Sequence, residues 1–197
     1  ALAPEPEVEG LLALIMIYHA RSTTRATPEG DLILLEHQDR SQWDHRAIKE
    51  AGQLVEKALS SGRAGSYTLQ AAIASVYSEA AHYQDTDWNE IIGLYDVLAG
   101  LEPTPVVLLN RAVAVAMRDG PEAGIAWIDR LLASGTLTGY HRAYAARGEL
   151  HWRRQDRTSA QADFGRALEL ARQEPERRYL RQRISQISQQ DVDLAPT

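Results

Sequence analysis

The sequence contains no cysteine, which excludes disulfide bonds, thiolate metal sites and a cysteine nucleophile. It also lacks long hydrophobic runs: the longest, residues 11–18, is far shorter than the ~20 residues of a membrane span. No basic segment precedes that run, so it does not read as a secretory signal. The absence of cysteine fits a reducing cytoplasm. We therefore expect a cytoplasmic protein with no membrane association.

The charge balance is acidic, with 21 basic and 27 acidic residues and a net charge of −6. This excludes a chain that coats nucleic acid through overall positive charge. Residues 142–183 nevertheless hold eleven arginines against six acids, or +5, which leaves −11 for the remainder. A basic end of this kind can bind an acidic protein or nucleic acid. Helical Glu–Arg pairs on a solvated surface, such as Glu174–Arg178, are the simpler explanation.

The first residue is Ala1 rather than methionine, and the opening Ala-Leu-Ala-Pro-Glu-Pro-Glu reads like the interior of a longer protein. We therefore expect this chain to be part of a larger one whose other part holds the main activity. A hydrophobic content of 44% in 197 residues is ordinary for a folded domain. A domain of this size needs no metal or disulfide to stabilise it.

Helical signals dominate, because proline and glycine fall where they begin and end helices rather than strands. They predict about nine helices, which begin near residues 6, 41, 66, 87, 105, 121, 140, 158 and 175. The apolar segment 31–36 has no second strand to pair with, so we predict an extended loop there. Short turns between such helices predict antiparallel neighbours.

The C-terminal half suggests a helix-pair repeat of about 34 residues. Its best unit resembles a tetratricopeptide (TPR) repeat, in which small residues let two helices approach while aromatic rings fill the groove beside them. The predicted packing residues of this unit are Tyr144, Gly148, Ala160, Phe164 and Ala167. A weaker match lies 37 residues earlier, where Ala123, Trp127 and Leu131 precede Ala160, Phe164 and Leu168.

These patterns predict an all-α fold: a TPR-like right-handed helical solenoid of antiparallel helix pairs with an N-terminal helical extension. The extension covers residues 1–65 and packs on the solenoid. Degenerate repeats and a capping helix cover residues 66–190, and a tail covers residues 191–197.

No motif for catalysis or cofactor binding is present. The sequence has no HExxH, Walker A, GxGxxG or GxSxG pattern, and no two of its six histidines have helical metal-site spacing. His82, Asp85 and Asp87 could hold a metal, but a solvated loop that leads into a helix cap explains them better. We therefore predict no enzyme, no metal and no cofactor.

The densest polar motif supplies the candidate interaction residues Asp39, Arg40, Ser41, Trp43 and Asp44. Arginine and tryptophan are favoured at interfaces. The structural alternative makes Ser41 an N-cap whose capping box includes Asp44, with Asp39 and Arg40 in a salt-bridged turn. Asn110 and Arg111 are a second candidate pair, on an otherwise apolar helix. A buried Arg111 needs a partner, and Asp39 or Asp44 is the predicted one.

Five segments in order carry a family resemblance. They are Pro-Glu-Val-Glu-Gly-Leu-Leu-Ala-Leu at 6–14, Asp-Leu-Ile-Leu-Leu-Glu-His-Gln-Asp-Arg-Ser-Gln-Trp-Asp at 31–44, Tyr-Thr-Leu-Gln-Ala-Ala-Ile-Ala at 67–74, Thr-Asp-Trp at 86–88 with Leu-Tyr-Asp at 94–96, and Pro-Val-Val-Leu-Leu-Asn-Arg-Ala-Val-Ala-Val-Ala at 105–116. Together they resemble the C-terminal, TPR-like extension of a group of bacterial extracytoplasmic-function (ECF) RNA polymerase sigma factors. His37 departs from the acid common there.

The resemblance implies a regulatory or protein-interaction domain in transcription initiation. Its partners would be the sigma region 2 and 4 domains of the same protein, which this chain lacks, and RNA polymerase itself. Promoter DNA would be bound by those domains in the full-length protein and not by this chain. The resemblance leaves two alternatives open, a stand-alone TPR-like scaffold for a peptide or protein and a small-molecule sensor with a pocket between extension and solenoid.

Overall fold

The computed structural model of the chain describes residues 5–193 and is all-α, as predicted, with no β-strand in that range. Residues 31–34 are extended, with Leu32 in an isolated β-bridge, and Leu35–His37 form a 3-10 turn, so the extended loop predicted over 31–36 is confirmed for its first four residues. Nine α-helices lie within the described residues: α1 Pro6–Ala20, α2 His45–Ser60, α3 Ser66–Glu79, α4 Trp88–Leu101, α5 Pro105–Asp119, α6 Pro121–Ala133, α7 His141–Arg153, α8 Arg157–Leu170 and α9 Glu174–Asp193.

Local capping chemistry sets the helix starts, and it corrects one prediction. Asp87 caps α4, since its carboxylate accepts from the Glu90 N–H at 3.0 Å, as the sequence predicted. The helix expected from Ser41 instead begins at His45, where Asp44 is the N-cap and accepts from the Ala47 N–H. The preceding residues, Arg40–Gln42, form a separate 3-10 turn, so Ser41 is not the cap of α2.

The chain divides into two compact units. The first comprises residues up to 27 and 33–111, and the second comprises residues 28–32 and 112 onward. In the first unit, α1 packs on both α2 and α3. Its core consists of Ala13, Leu14, Ile17, Ala51, Val55, Ala71, Ala72 and Ala74. The predicted boundary at 65/66 stays a prediction.

A glycine permits the close approach of α1 to α3. A Cβ on Gly10 would lie 2.5 Å from the Thr68 hydroxyl oxygen and 2.6 Å from its Cα. Backbone cannot retreat as a flexible side chain can, so only glycine fits at this crossing. The small side chains of α3 continue the tight contact along the pair.

In the second unit, α8 packs between α7 and α9. Phe164 is completely buried, with Ala160, Ala167, Leu180 and Ile187 around it, and Tyr144 packs partly buried against this core. A Cβ on Gly148 would meet the Phe164 ring at 3.1 Å, so the two helices are close at the position where the sequence predicted small residues. The predicted packing residues therefore contact one another, while the TPR-like solenoid stays a prediction.

Helices α5 and α6 start 36 positions before α7 and α8, whereas the sequence predicted a spacing of 37. Helix α5 starts 36 residues before α7 (105 and 141), and α6 starts 36 before α8 (121 and 157). The burial of side chains also fits a spacing of 36. Ile128, 36 residues before Phe164, is fully buried as Phe164 is, whereas the predicted counterpart Trp127 is 40% exposed. Gly124 takes the place of Ala160 and closely approaches Ala116. The predicted register was therefore wrong by one residue.

The last helix continues further than predicted. A tail was expected over 191–197, but α9 remains helical to Asp193. Residues 194–197 lie outside the described part of the chain.

Candidate functional site

Glu7, in the motif at residues 6–14, binds the N-terminal end of α3. The Glu7 carboxylate on α1 accepts from the backbone N–H groups of Gly65, Tyr67 and Thr68 at 2.8, 3.0 and 3.1 Å. It also accepts from the Thr68 hydroxyl at 2.6 Å. Burial opposes ionisation of Glu7, but these hydrogen bonds outweigh it and lower the pKa of the carboxyl below its ordinary value. Glu7 thus caps the N-terminal end of α3, although it lies 58–61 residues before the N–H groups that it binds.

The Asp39–Asp44 motif secures the other end of α3. The Arg40 guanidinium donates through Nη1 to the carbonyl oxygens of Tyr77 at 2.8 Å and Ala80 at 2.6 Å. A cation at the C-terminal end of a helix complements both its free carbonyls and its dipole. Two motifs distant in sequence therefore hold the two ends of one helix.

Trp43 is the buried anchor of this motif. It is almost fully buried, and its indole N–H donates to the Thr24 hydroxyl at 2.8 Å. The guanidinium groups of Arg21 and Arg40 lie over its ring, 4.9 and 4.8 Å from the centroid. Buried as it is, Trp43 is not an exposed interface residue.

The acids of the motif act locally. Asp39 accepts from the Ser41 N–H and hydroxyl and from the Gln42 amide, which lowers its pKa. The predicted Asp39–Arg40 ion pair gives way to these bonds, because Arg40 is directed to the end of α3. These contacts support the structural explanation of Asp39, Arg40, Ser41, Trp43 and Asp44 over the interface one.

The predicted partner of Arg111 was wrong. Its Nε pairs with Asp96 of α4 at 2.5 Å, with neither Asp39 nor Asp44. The arginine side chain is 22% exposed and Asp96 about half exposed, so the pair is not a buried one. Asn110, the neighbouring candidate, lines a cavity in the first unit.

The arginines of the C-terminal segment are extensively engaged in ion pairs within the second unit. Arg147 donates twice to Asp163, at 2.8 and 2.7 Å, and once to Asp129 at 2.6 Å. Arg183 makes a two-bond pair with Glu149. The suggested Glu174–Arg178 pair was wrong, since Arg178 binds Asp31 at 2.5 Å while Glu174 binds Arg181 at 2.8 Å. The structure thus favours internal pairing over a free basic patch.

One face of α1 is apolar and exposed. Val8, Leu11, Leu12, Ile15 and Tyr18 recur at helical spacing and are between 37% and 61% exposed. The opposite face, with Ala13, Leu14 and Ile17, is in the core. Helix α1 is therefore apolar on both faces, but only one face is covered.

The described residues hold neither a metal-binding cluster nor a membrane-spanning helix. Within the described part of the chain, no three or more histidine, aspartate and glutamate side chains are placed to hold a metal, and His82, Asp85 and Asp87 do not form such a group. None of the helices in that range has the length and apolar character that crossing a membrane requires.

Several residues with distinctive environments were absent from the sequence predictions. In the sequence, Glu7 and Gly10 lie within the motif at 6–14, and nothing there marks either residue as a contact of α3. Arg21, which is buried beside Trp43, was not singled out. Its position at the end of an otherwise apolar helix is the signal that could have drawn attention to it.

The chain is similar to a known family over its N-terminal part and to a curated protein over most of its length. Residues 1–59 match a family of unknown function, DUF6596. The chain is 39% identical over 191 residues to an uncharacterized protein of Rhizobium meliloti (strain 1021). This match covers 97% of the chain but 45% of the relative, so the chain spans about half the length of the curated relative that it matches. No solved structure matches it.

Proposed function

We propose that the chain is the C-terminal regulatory, protein-interaction domain of a bacterial ECF-type RNA polymerase sigma factor, which acts in the cytoplasm in transcription initiation. The motif series at 6–14, 31–44, 67–74, 86–96 and 105–116 supports this proposal. The Rhizobium relative also supports it, because more than half of that protein lies outside the match and is long enough to hold sigma regions 2 and 4. The helix pairs 36 residues apart would form part of a TPR-like solenoid.

The exposed apolar face of α1 is the observation that carries the proposal. A helix of a self-contained domain normally exposes its polar face, but α1 exposes Val8, Leu12 and Ile15. Each such side chain gains roughly 1–2 kcal/mol when a partner covers it. We therefore assign this face to docking of the sigma domains.

Docking of this kind is a regulatory device. A domain that binds its own sigma regions controls how often they are available to polymerase. Shifting the docked fraction from 1% to 99% requires about 5.5 kcal/mol of differential binding. Burial of the α1 face provides free energy on that order.

The test is binding of the 197-residue chain to polypeptides that comprise sigma regions 2 and 4 from the same reading frame, measured by titration calorimetry. Leu12→Glu combined with Ile15→Glu places charge on the docking face while keeping good helix formers. We expect this variant to lose at least tenfold in affinity. Val97→Glu, at an equally exposed valine on α4, is the matched control and should bind as the wild type does.

Three outcomes would overturn the proposal. One is a reading frame that encodes no sigma regions, and another is no binding between the purified parts. The third is equal binding by the double variant and the Val97→Glu control. The first outcome together with capture of a different protein would favour a stand-alone scaffold.

A further inference from the structure

A cavity of about 480 Å³ lies within the first unit. This volume is in the range of small-molecule sites in proteins. Its wall combines aromatic and aliphatic side chains, such as Tyr77, Tyr95 and Leu98, with polar ones, such as Gln70, Thr104 and Asn110. The cavity thus has the size of a small-molecule pocket and offers both apolar and polar contacts.

Arg21 supplies a buried positive charge at this cavity. The residue is only 7% exposed and lines the cavity wall. Its Nη2 donates to the Gln38 amide oxygen at a long 3.3 Å, and its Nε is buried with no acceptor. Burial, with Arg25 as a second cause, lowers the pKa of Arg21 to about 10. The group remains charged at neutral pH.

The guanidinium has no carboxylate counterpart among residues 5–189. Its other contact is the face of Trp43, which is aromatic and not ionised. Burying a charge without a counterion is energetically unfavourable. Arg40 also has a buried nitrogen without an acceptor, Nη2, but its Nη1 donates to two carbonyl oxygens at the end of α3, and Arg111 pairs with Asp96. Arg21 thus retains a buried N–H donor from which an anionic ligand can accept a hydrogen bond.

We propose that this cavity binds a small organic monocarboxylate whose apolar or aromatic body fills the pocket and whose carboxylate accepts hydrogen bonds from Arg21. A planar carboxylate matches the donor geometry of a guanidinium. The tyrosine rings and the aliphatic side chains of the wall contact the ligand body. Glu102 also lines the cavity, and its negative charge disfavours a ligand with a second anionic group. Binding of this kind does not depend on the proposed docking function.

The experiment compares acids with their neutral analogues on the intact 197-residue chain. Octanoate, 4-phenylbutanoate and indole-3-acetate are titrated calorimetrically, with octan-1-ol, 4-phenylbutan-1-ol and indole-3-acetamide as uncharged counterparts. We expect at least one acid to bind with a Kd below about 1 mM, at least tenfold tighter than its neutral analogue.

Arg21→Met removes the charge while keeping the length of the side chain, and it should abolish the preference for the acid. The matched control is Arg46→Met, which removes an exposed arginine of α2 and should leave the preference intact. If Arg21→Met does not fold, Arg21→Lys retains the charge but not the planar donor pair, and it should weaken acid binding at least threefold.

The proposal fails if none of the three acids binds below 1 mM, or if acid and neutral analogue bind equally. It also fails if the folded Arg21→Met chain, or Arg21→Lys in its place, keeps the wild-type affinity. If Arg21→Met abolishes binding of a sigma polypeptide and none of the acids binds, Arg21 belongs to a protein-binding site instead.

Discussion

Replacing Glu7 by glutamine tests whether α1 stabilises α3 through one carboxylate. In the wild type, Oε1 accepts from the N–H groups of Gly65 and Thr68 and from the Thr68 hydroxyl, and Oε2 accepts from the Tyr67 N–H. A glutamine keeps one acceptor oxygen but removes the charge. Its amide N–H₂ group then faces the Tyr67 N–H, so two donors oppose each other.

The magnitude follows from these contacts. Three hydrogen bonds lose their charge assistance, at roughly 0.5 kcal/mol each, and the fourth, from the exposed Tyr67 N–H, is exchanged for a bond to water at little net cost. Loss of a negative charge near the start of a helix costs a further 0.3–1 kcal/mol or so. We therefore expect the free energy of unfolding to fall by about 2 kcal/mol, which lowers Tm by about 4–8 °C in a chain of this size.

The pH dependence of the Glu7→Gln effect distinguishes loss of the carboxylate charge from a change in side-chain shape. Because folding lowers the pKa of Glu7 below its ordinary 4.5, its contribution is fully present above pH 4.5. It is lost as the pH falls through the folded-state pKa. The difference between wild type and Glu7→Gln should therefore shrink as the pH falls below 4.5.

Urea unfolding followed by circular dichroism measures the effect at each pH. Glu56→Gln is the matched control, since Glu56 is an exposed glutamate of α2, and it should change the unfolding free energy by less than about 0.5 kcal/mol. A Glu7→Gln effect as small as that of the control would refute the capping role. An effect of about 2 kcal/mol that stays constant as the pH falls below 4.5 would show that the charge is not its cause.

Three further predictions concern packing and ion pairs. Gly10→Ala should destabilise the chain by about 2 kcal/mol or more, because the new Cβ meets the Thr68 backbone; equal Tm values for variant and wild type would contradict this. Phe164→Ala should cost about 3–5 kcal/mol in urea unfolding, since the ring is fully buried, whereas Trp127→Ala should cost less than half as much if 36 is the correct repeat spacing. Arg111→Ala should cost about 1 kcal/mol or less by the same assay, because Asp96 is half exposed; a loss of 3 kcal/mol would indicate a fully desolvated pair.

The candidate site shows where sequence patterns mislead. Ser-x-x-Asp at 41–44 fits a capping box, but Asp44 caps α2 itself and Ser41 lies in a separate 3-10 turn. Several polar residues in a short segment can each serve as a cap, and their spacing alone does not select one. Arg111 illustrates a different limit, because its partner depends on which helix lies beside α5, and α4 supplies Asp96.

The predicted spacing of 37 residues differs from the spacing of the helices by one position for a related reason. Trp127 resembles Phe164 in residue type, so aligning the aromatic residues gave a spacing of 37. Burial aligns Ile128 with Phe164 instead, because a core position requires an apolar side chain on the covered face and not an aromatic one.

The sequence by itself determined the all-α fold and the nine helices within the described residues. Proline, glycine and capping residues act on their own neighbours, so their effects are readable without the fold. Only the tertiary structure showed that Glu7 and Arg40 secure opposite ends of α3, that Gly10 must be small, and that Arg21 is a buried charge at a cavity. These properties arise from groups that are distant along the chain and meet only in the packed structure, where burial decides whether a polar group needs a partner.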